Sequence, residues 1–218
     1  MEGKRNNNYL IKVTLCNVKY LYNIIFLLMV ILKITSEEGT IISLITLTIK
    51  EKGIQPILSE SFNVTPSRIN SSCSLKSNKK SVECNKEINI INIYFDNPIY
   101  SCEKMFDGLI NITSIDLSKF YSSQVNNMKE MFGNCKNLEY INFDNFDTKS
   151  VINMNGVFRL CESLKSLNIA NFDTSSVVYM PNMFYHCNSL FSLNLSNFNT
   201  SSVLNMGSMF TGCQSLKI

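Results

Sequence analysis

The sequence predicts an α/β repeat solenoid with a small β-rich N-terminal cap, in which each 26-residue coil carries one short strand and one short helix. Three observations predict it. Apolar residues recur in columns spaced 26 apart from residue 105 to the end. Within each period an alternating apolar stretch is followed by one with helical spacing. Residues 37–100 lack the repeat and are rich in β-branched runs.

The columns are explicit. Met105-Phe106, Met131-Phe132, Val157-Phe158, Met183-Phe184 and Met209-Phe210 each lie 26 residues apart, with no insertion. Cys135, Cys161, Cys187 and Cys213 form a second column, with Leu109 in that place in the first copy. Ile112, Leu138, Leu164, Leu190 and Leu216 form a third. Phe120, Phe146, Phe172 and Phe198 form another, and Val125, Val151, Val177 and Val203 a further one. Met128, Met154, Met180 and Met206 complete the period. In the fullest copy, Leu190, Leu193 and Leu195 alternate as a short strand must. Val203, Met206 and Met209 have the spacing of one or two helical turns, and Thr200-Ser-Ser ahead of them suits an N-cap or a turn. One such coil cannot bury its own apolar face, so stability must come from stacking neighbours.

The chain divides into three segments. Residues 1–36 read as a signal peptide or signal-anchor: Lys4, Arg5, Lys12 and Lys19 precede an apolar run at 21–32, with no acid between Glu2 and Glu37. A cleavage position falls after Ser36, although Ile34 is a poor match there, and an uncleaved anchor stays open. Residues 37–100 read as the β-rich cap, with strands expected at 40–50 and 88–95 and turns at Pro56, Pro66 and Pro98. A membrane hairpin from Leu21 through Ile49 is the lesser alternative, disfavoured by Lys33, Glu37 and Glu38. Residues 101–218 read as the solenoid, about 4.5 coils. Its end at Ile218, inside a new strand-like segment without a polar cap, reads as a truncation.

Composition narrows the function. The net charge is +3, and residues 101–218 carry 8 Lys and Arg against 9 Asp and Glu. No basic face for nucleic acid is expected. With one His and no Trp, no cofactor, metal centre or catalytic constellation is expected. His186 occupies a position held by Asn134, Leu160 and Gly212 in the other copies, which marks it as a surface residue.

The eight cysteines fall into groups. Cys16 lies in the targeting segment. Cys73 and Cys84, close together in a polar loop, are a candidate disulfide in an oxidising compartment. The column Cys135, Cys161, Cys187 and Cys213 is expected in the core as free thiols. Helical segments of neighbouring coils would pack about 8–10 Å apart, too far for a disulfide. A metal-binding ladder is disfavoured because the cysteines are single, and the pairing of Cys102 stays open.

The phrase running from Met183-Phe184 through Cys187, Leu190, Leu193-Asn-Leu-Ser-Asn-Phe198 and Val203 to Met206 resembles the signature of the BspA-like leucine-rich-repeat surface proteins. The resemblance covers about residues 101–218. It implies a leucine-rich-repeat-like fold and a secreted or surface-held protein associated with adhesion, with no catalytic residues to carry over. The first copy departs from the pattern at Leu109 and at Tyr121-Ser-Ser-Gln, as terminal repeats do.

The expected function is therefore non-enzymatic recognition or adhesion outside the cell, presenting an extended repeat surface to a protein or glycan ligand. The membrane is involved only through the N-terminal segment if that stays uncleaved. The alternatives are a structural surface-coat or spacer protein without a ligand, and an intracellular repeat scaffold. The candidate binding strip comprises Asp116, Asn142, Asn168 and Asn194, a second column of Asn145, Asn171 and Asn197 headed by Lys119, and the aromatics Tyr140 and Phe191. Stacked amides bonding along the array would be the purely structural role of the same columns. Candidate N-glycosylation sequons stand at Asn63, Asn70, Asn111, Asn194 and Asn199, with Asn63 weakened by Pro66. A glycan at Asn194 would block the strip there.

Overall fold

The structure, a computed structural model, describes residues 43–217, which belong to one compact unit, Ile41–Ile218. The expected targeting segment and Cys16 lie outside the described residues. Among the described residues no helix is long and apolar enough to cross a membrane.

The strands are β1 (Ser43–Ile49), β2 (Gly53–Pro56), β3 (Arg68–Ser71), β4 (Ser74–Leu75), β5 (Ser81–Cys84), β6 (Asn89–Phe95), β7 (Ile112–Lys119), β8 (Tyr140–Asn142), β9 (Ser166–Leu167) and β10 (Ser192–Leu193). They form three sheets: a five-stranded one ordered β3-β6-β1-β7-β8, a three-stranded one ordered β2-β5-β4, and the pair β10-β9. Alternation builds the large sheet. β1 buries Ser43, Ile45, Leu47 and Ile49 and turns Leu44, Thr46 and Thr48 outward. β6 buries Asn89, Ile91, Ile93 and Phe95 with the same period. β1 pairs antiparallel with β6 on one side and with β7 on the other. Segment 43–95 and the first repeat therefore share one sheet and one core.

The structure corrects the expected α/β solenoid with a helix in each coil. No helix occurs among the described residues, and the strands gather in small sheets. The stretch with helical spacing is a run of overlapping turns. In the second repeat Met131, Gly133, Cys135 and Leu138 donate their N–H to Met128, Glu130, Phe132 and Cys135, each three residues back. The N–H groups between them point sideways. Met128, Glu130, Phe132 and Asn134 donate to Asn153, Asn155, Val157 and Arg159 of the next repeat at 2.7–2.9 Å. A helix would direct all of these N–H groups along its own axis.

Backbone handedness excludes the helix independently. Each repeat places two residues four apart in the left-handed region. One position is Lys104, Glu130, Gly156, Asn182 and Ser208; the other is Gly108, Asn134, Leu160, His186 and Gly212. Glycine and asparagine hold five of these ten places because they enter that region at little steric cost.

The repeats stack in register. Parallel bridges join Ser101 to Asn127, Asn127 to Asn153, Asn153 to Tyr179 and Tyr179 to Asn205, which sets a spacing of about 4.8 Å between equivalent positions. Phe106, Phe132, Phe158, Phe184 and Phe210 form a stacked file with centroids 5.5–5.6 Å apart. The first four of these rings are fully buried, and each such burial stabilises by roughly 1.5–3 kcal/mol. Phe120, Phe146 and Phe172 make a second file, and Phe143 packs edge-on between the two.

Candidate binding surface

The outward residues stand on β7, on β8 and in the equivalent short segments of the later repeats, and the same local bond recurs in each. Asp116 Oδ1 accepts the Ser118 N–H, and Asn142 Oδ1 accepts the Asp144 N–H at 3.0 Å. Asn168 accepts from Ala170 and Asn194 from Ser196. Each of these side chains caps the turn two residues on. The acceptor oxygen is thus engaged within its own repeat. Among the described residues nothing takes the Nδ2 hydrogens of Asn142, Asn168 or Asn194.

The second asparagine column behaves differently. Asn171 Nδ2 donates to the carbonyls of Phe143 and Phe146 at 2.9 and 3.2 Å. Asn197 donates to Ala170, and Asn145 reaches Ser118 at 3.5 Å. These amides lie between neighbouring repeats and join their backbones. The two columns of the expected strip therefore separate: the first presents free N–H groups to solvent, and the second has its N–H groups committed to the stack. Neither forms an amide-to-amide ladder. A groove of about 410 Å³ lies between them, lined by Phe143, Asp144, Asn145, Asn168, Ala170 and Asn171. Tyr140 and Phe191 stand exposed beside the strip at 58% and 49%.

The sheet register carries the first column beyond the repeats. Asp116 on β7 faces Thr46 on β1, Thr46 faces Asn92 on β6, and Asn92 faces Asn70 on β3. Asp116 also pairs with Asn142 on β8. Thr46 Oγ1 donates to Asn92 Oδ1 at 2.8 Å, leaving the Asn92 Nδ2 outward. Arg68 lies over the Tyr94 ring, 4.2 Å from its centroid, at the rim of the same face. Asn70 was expected only as a sequon, and Thr46 and Asn92 were not foreseen at all. Their signal was the alternation of Thr and Asn with Ile in segments 43–49 and 89–95.

Interior polar residues were missed as well. Thr148 and Thr174 are fully buried. The Thr148 hydroxyl donates to the Asp173 carbonyl and accepts the Asp173 N–H, and Thr174 does the same with Asn199. The Asp173 carboxylate is held below its ordinary range by hydrogen bonds from the Ser175 side chain and backbone.

Cys73 and Cys84 are joined in a disulfide, with Cα atoms 4.5 Å apart. Cys102, Cys135, Cys161, Cys187 and Cys213 are free. Stacking at β spacing brings neighbouring Cα atoms of the column cysteines within disulfide reach, closer than the separation of about 8–10 Å expected of packed helical segments. Each thiol instead points to a backbone carbonyl. Cys135 donates to Phe106, Cys161 to Phe132, Cys187 to Phe158 and Cys213 to Phe184 at 3.0–3.1 Å. Burial raises the pKa of Cys135, Cys161 and Cys187 well above the ordinary range, that of Cys187 to about 12, so these three stay protonated and unreactive.

Of the sequon asparagines, Asn63, Asn70, Asn194 and Asn199 are exposed. Asn111 is half-buried and its Nδ2 donates to Gln55 Oε1 at 2.9 Å. His186 sits in the left-handed turn position, with its ring against Tyr185.

These features define a stacked-repeat protein whose outward face is lined with amides and carries little charge. A family model described as "Mycoplasma protein of unknown function, DUF285" matches residues 100–218, more than half of the chain, and the chain belongs to that family. No curated protein matches it, and neither does any solved structure.

Proposed function

We propose that this protein is a non-enzymatic recognition module, secreted or held at the cell surface, that presents the outward strand face to a ligand. The observation that carries the reading is the division of labour between the asparagine columns. Asn171 and Asn197 join the repeats, whereas Asn142, Asn168 and Asn194 keep unspent N–H donors in solvent. Capping the turn uses only the side-chain oxygen, which aspartate supplies equally well at Asp116, so the N–H groups are left for a ligand. Export rests on the basic and apolar pattern of residues 1–36. The closer kinship, with BspA-like surface proteins, rests on the phrase from Met183 to Met206. The non-enzymatic reading rests on the sequence, whose single histidine, His186, stands at a position held by Asn134, Leu160 and Gly212 in the other repeats.

The test is topological. The full chain is expressed with a C-terminal tag, intact cells are treated with protease, and the mature N-terminus is read by mass spectrometry. A tag cleaved from outside, or released with a new N-terminus near Glu37, supports the reading. A tag protected inside the cell overturns it in favour of an intracellular scaffold.

A further inference from the structure

We infer that the ligand is an uncharged glycan chain, lying along a polar row that crosses both the repeats and the sheet before them. The inference rests on the recognition reading above and names its ligand class. The row runs Asn70, Asn92, Thr46, Asp116 and Asn142 by direct strand pairing, and Asn168 and Asn194 continue it in the next two repeats. At about 4.8 Å per strand the seven positions span about 29 Å.

Four properties select the ligand. First, Asn92, Asn142, Asn168 and Asn194 have their oxygens occupied by Thr46 or by their own turns, so each offers its N–H pair outward. The row is rich in donors and matches a chain rich in hydroxyl and ring oxygens. Second, the row itself carries one formal charge, the Asp116 carboxylate near the middle, while Asp144 lines the adjoining groove and Arg68 at the rim lies over the Tyr94 ring. The Asp116 carboxylate accepts from sugar hydroxyls and repels a sulfated or uronate polymer, so the electrostatics favour a neutral polyol. Third, Tyr140 stands exposed two residues before Asn142 on β8, on the same side of the strand. Its ring offers a flat apolar surface to a sugar ring. Fourth, the groove lined by Asn145, Asn168 and Asn171 opens beside the row, and a chain of hexopyranoses advances by close to one strand spacing per ring. An extended peptide fits less well. It would add to a sheet edge through backbone bonds, whereas this face presents side chains.

Asparagine-to-aspartate substitution isolates the donors. Aspartate makes the same turn at this position, as Asp116 does, but has no N–H to give. The full chain, made in a host without N-glycosylation because Asn70 and Asn194 are sequons, is held in detergent. It is applied to an array of neutral, sulfated and uronate-containing oligosaccharides and of immobilised linear peptides. We expect retention on neutral glycans, at least tenfold weaker for the double variant N142D/N168D, with its urea midpoint unchanged. Retention only on sulfated glycans, uronates or peptides, no retention on any glycan, or undiminished binding by N142D/N168D would overturn the inference. Surface exposure in the protease test is independent of all these outcomes, so the two readings fail separately.

Discussion

The Cys161 thiol donates to the carbonyl oxygen of Phe132, 3.1 Å away in the preceding repeat. That carbonyl also receives the Cys135 N–H. One oxygen thus closes a turn in its own repeat and anchors the next. Cys161→Ala removes the anchor and leaves a small void, so a loss of about 1–2 kcal/mol is expected from urea unfolding. An unchanged midpoint would show that the thiol contact contributes nothing.

Buried thiols also make stability fall in alkali. Cys135, Cys161 and Cys187 are protonated when folded because burial raises their pKa, whereas the unfolded chain ionises near the ordinary value of 9.0. Below pH 9 both states hold the proton and stability is unaffected. As pH rises above 9 the unfolded state alone loses protons, so folding stability falls, by up to about 1.4 kcal/mol per pH unit for each thiol. Denaturant unfolding between pH 8 and 10.5 should show this decline, and it should flatten in a variant lacking the three thiols.

Leu160 occupies the left-handed region with φ 60°, where other repeats place Gly108, Asn134 and Gly212. A leucine is strained there. Leu160→Asn should raise stability by about 0.5–1 kcal/mol in thermal unfolding. A lower melting temperature would mean that the Leu160 side chain outweighs the strain through its packing.

The two asparagine columns make a matched comparison. In Asn171→Asp a carboxylate would face the Phe143 and Phe146 carbonyls that now receive N–H bonds. A loss of about 1–3 kcal/mol is expected. Asn168→Asp keeps its turn and should change stability by less than about 0.5 kcal/mol. Equal losses in calorimetry would erase the distinction between stacking and presenting amides.

The period, the core columns and the polar outer residues were legible in the sequence because each is carried by residue type at fixed spacing. Phe132, Cys135 and Leu138 are buried as their columns imply. The helix was misread because an i, i+3 apolar pattern is shared by helices and by chains of three-residue turns. Backbone sign distinguishes them, and it shows only as Gly108, Asn134 and Gly212 in one column and Gly156 and Asn182 in the other. The partition of the amides was illegible because Asn168 and Asn171 are identical in type, and only the neighbouring repeat's carbonyls decide which is spent. Thr46 and Asn92 joined the face through pairing across 46 residues, a register that local pattern does not set.

On the proposed reading the outward strand face meets the cell exterior while the cysteine column stays inside the core. Ser166, exposed on β9, allows one measurement of both. Intact cells expressing the parent chain or Ser166→Cys are treated with a membrane-impermeant maleimide, and modification is mapped by mass spectrometry. Labelling at position 166 from outside is expected, with Cys135, Cys161 and Cys187 unmodified until the protein is unfolded. Labelling at position 166 only after cell lysis, or modification of the three core thiols in the folded chain, would contradict that reading.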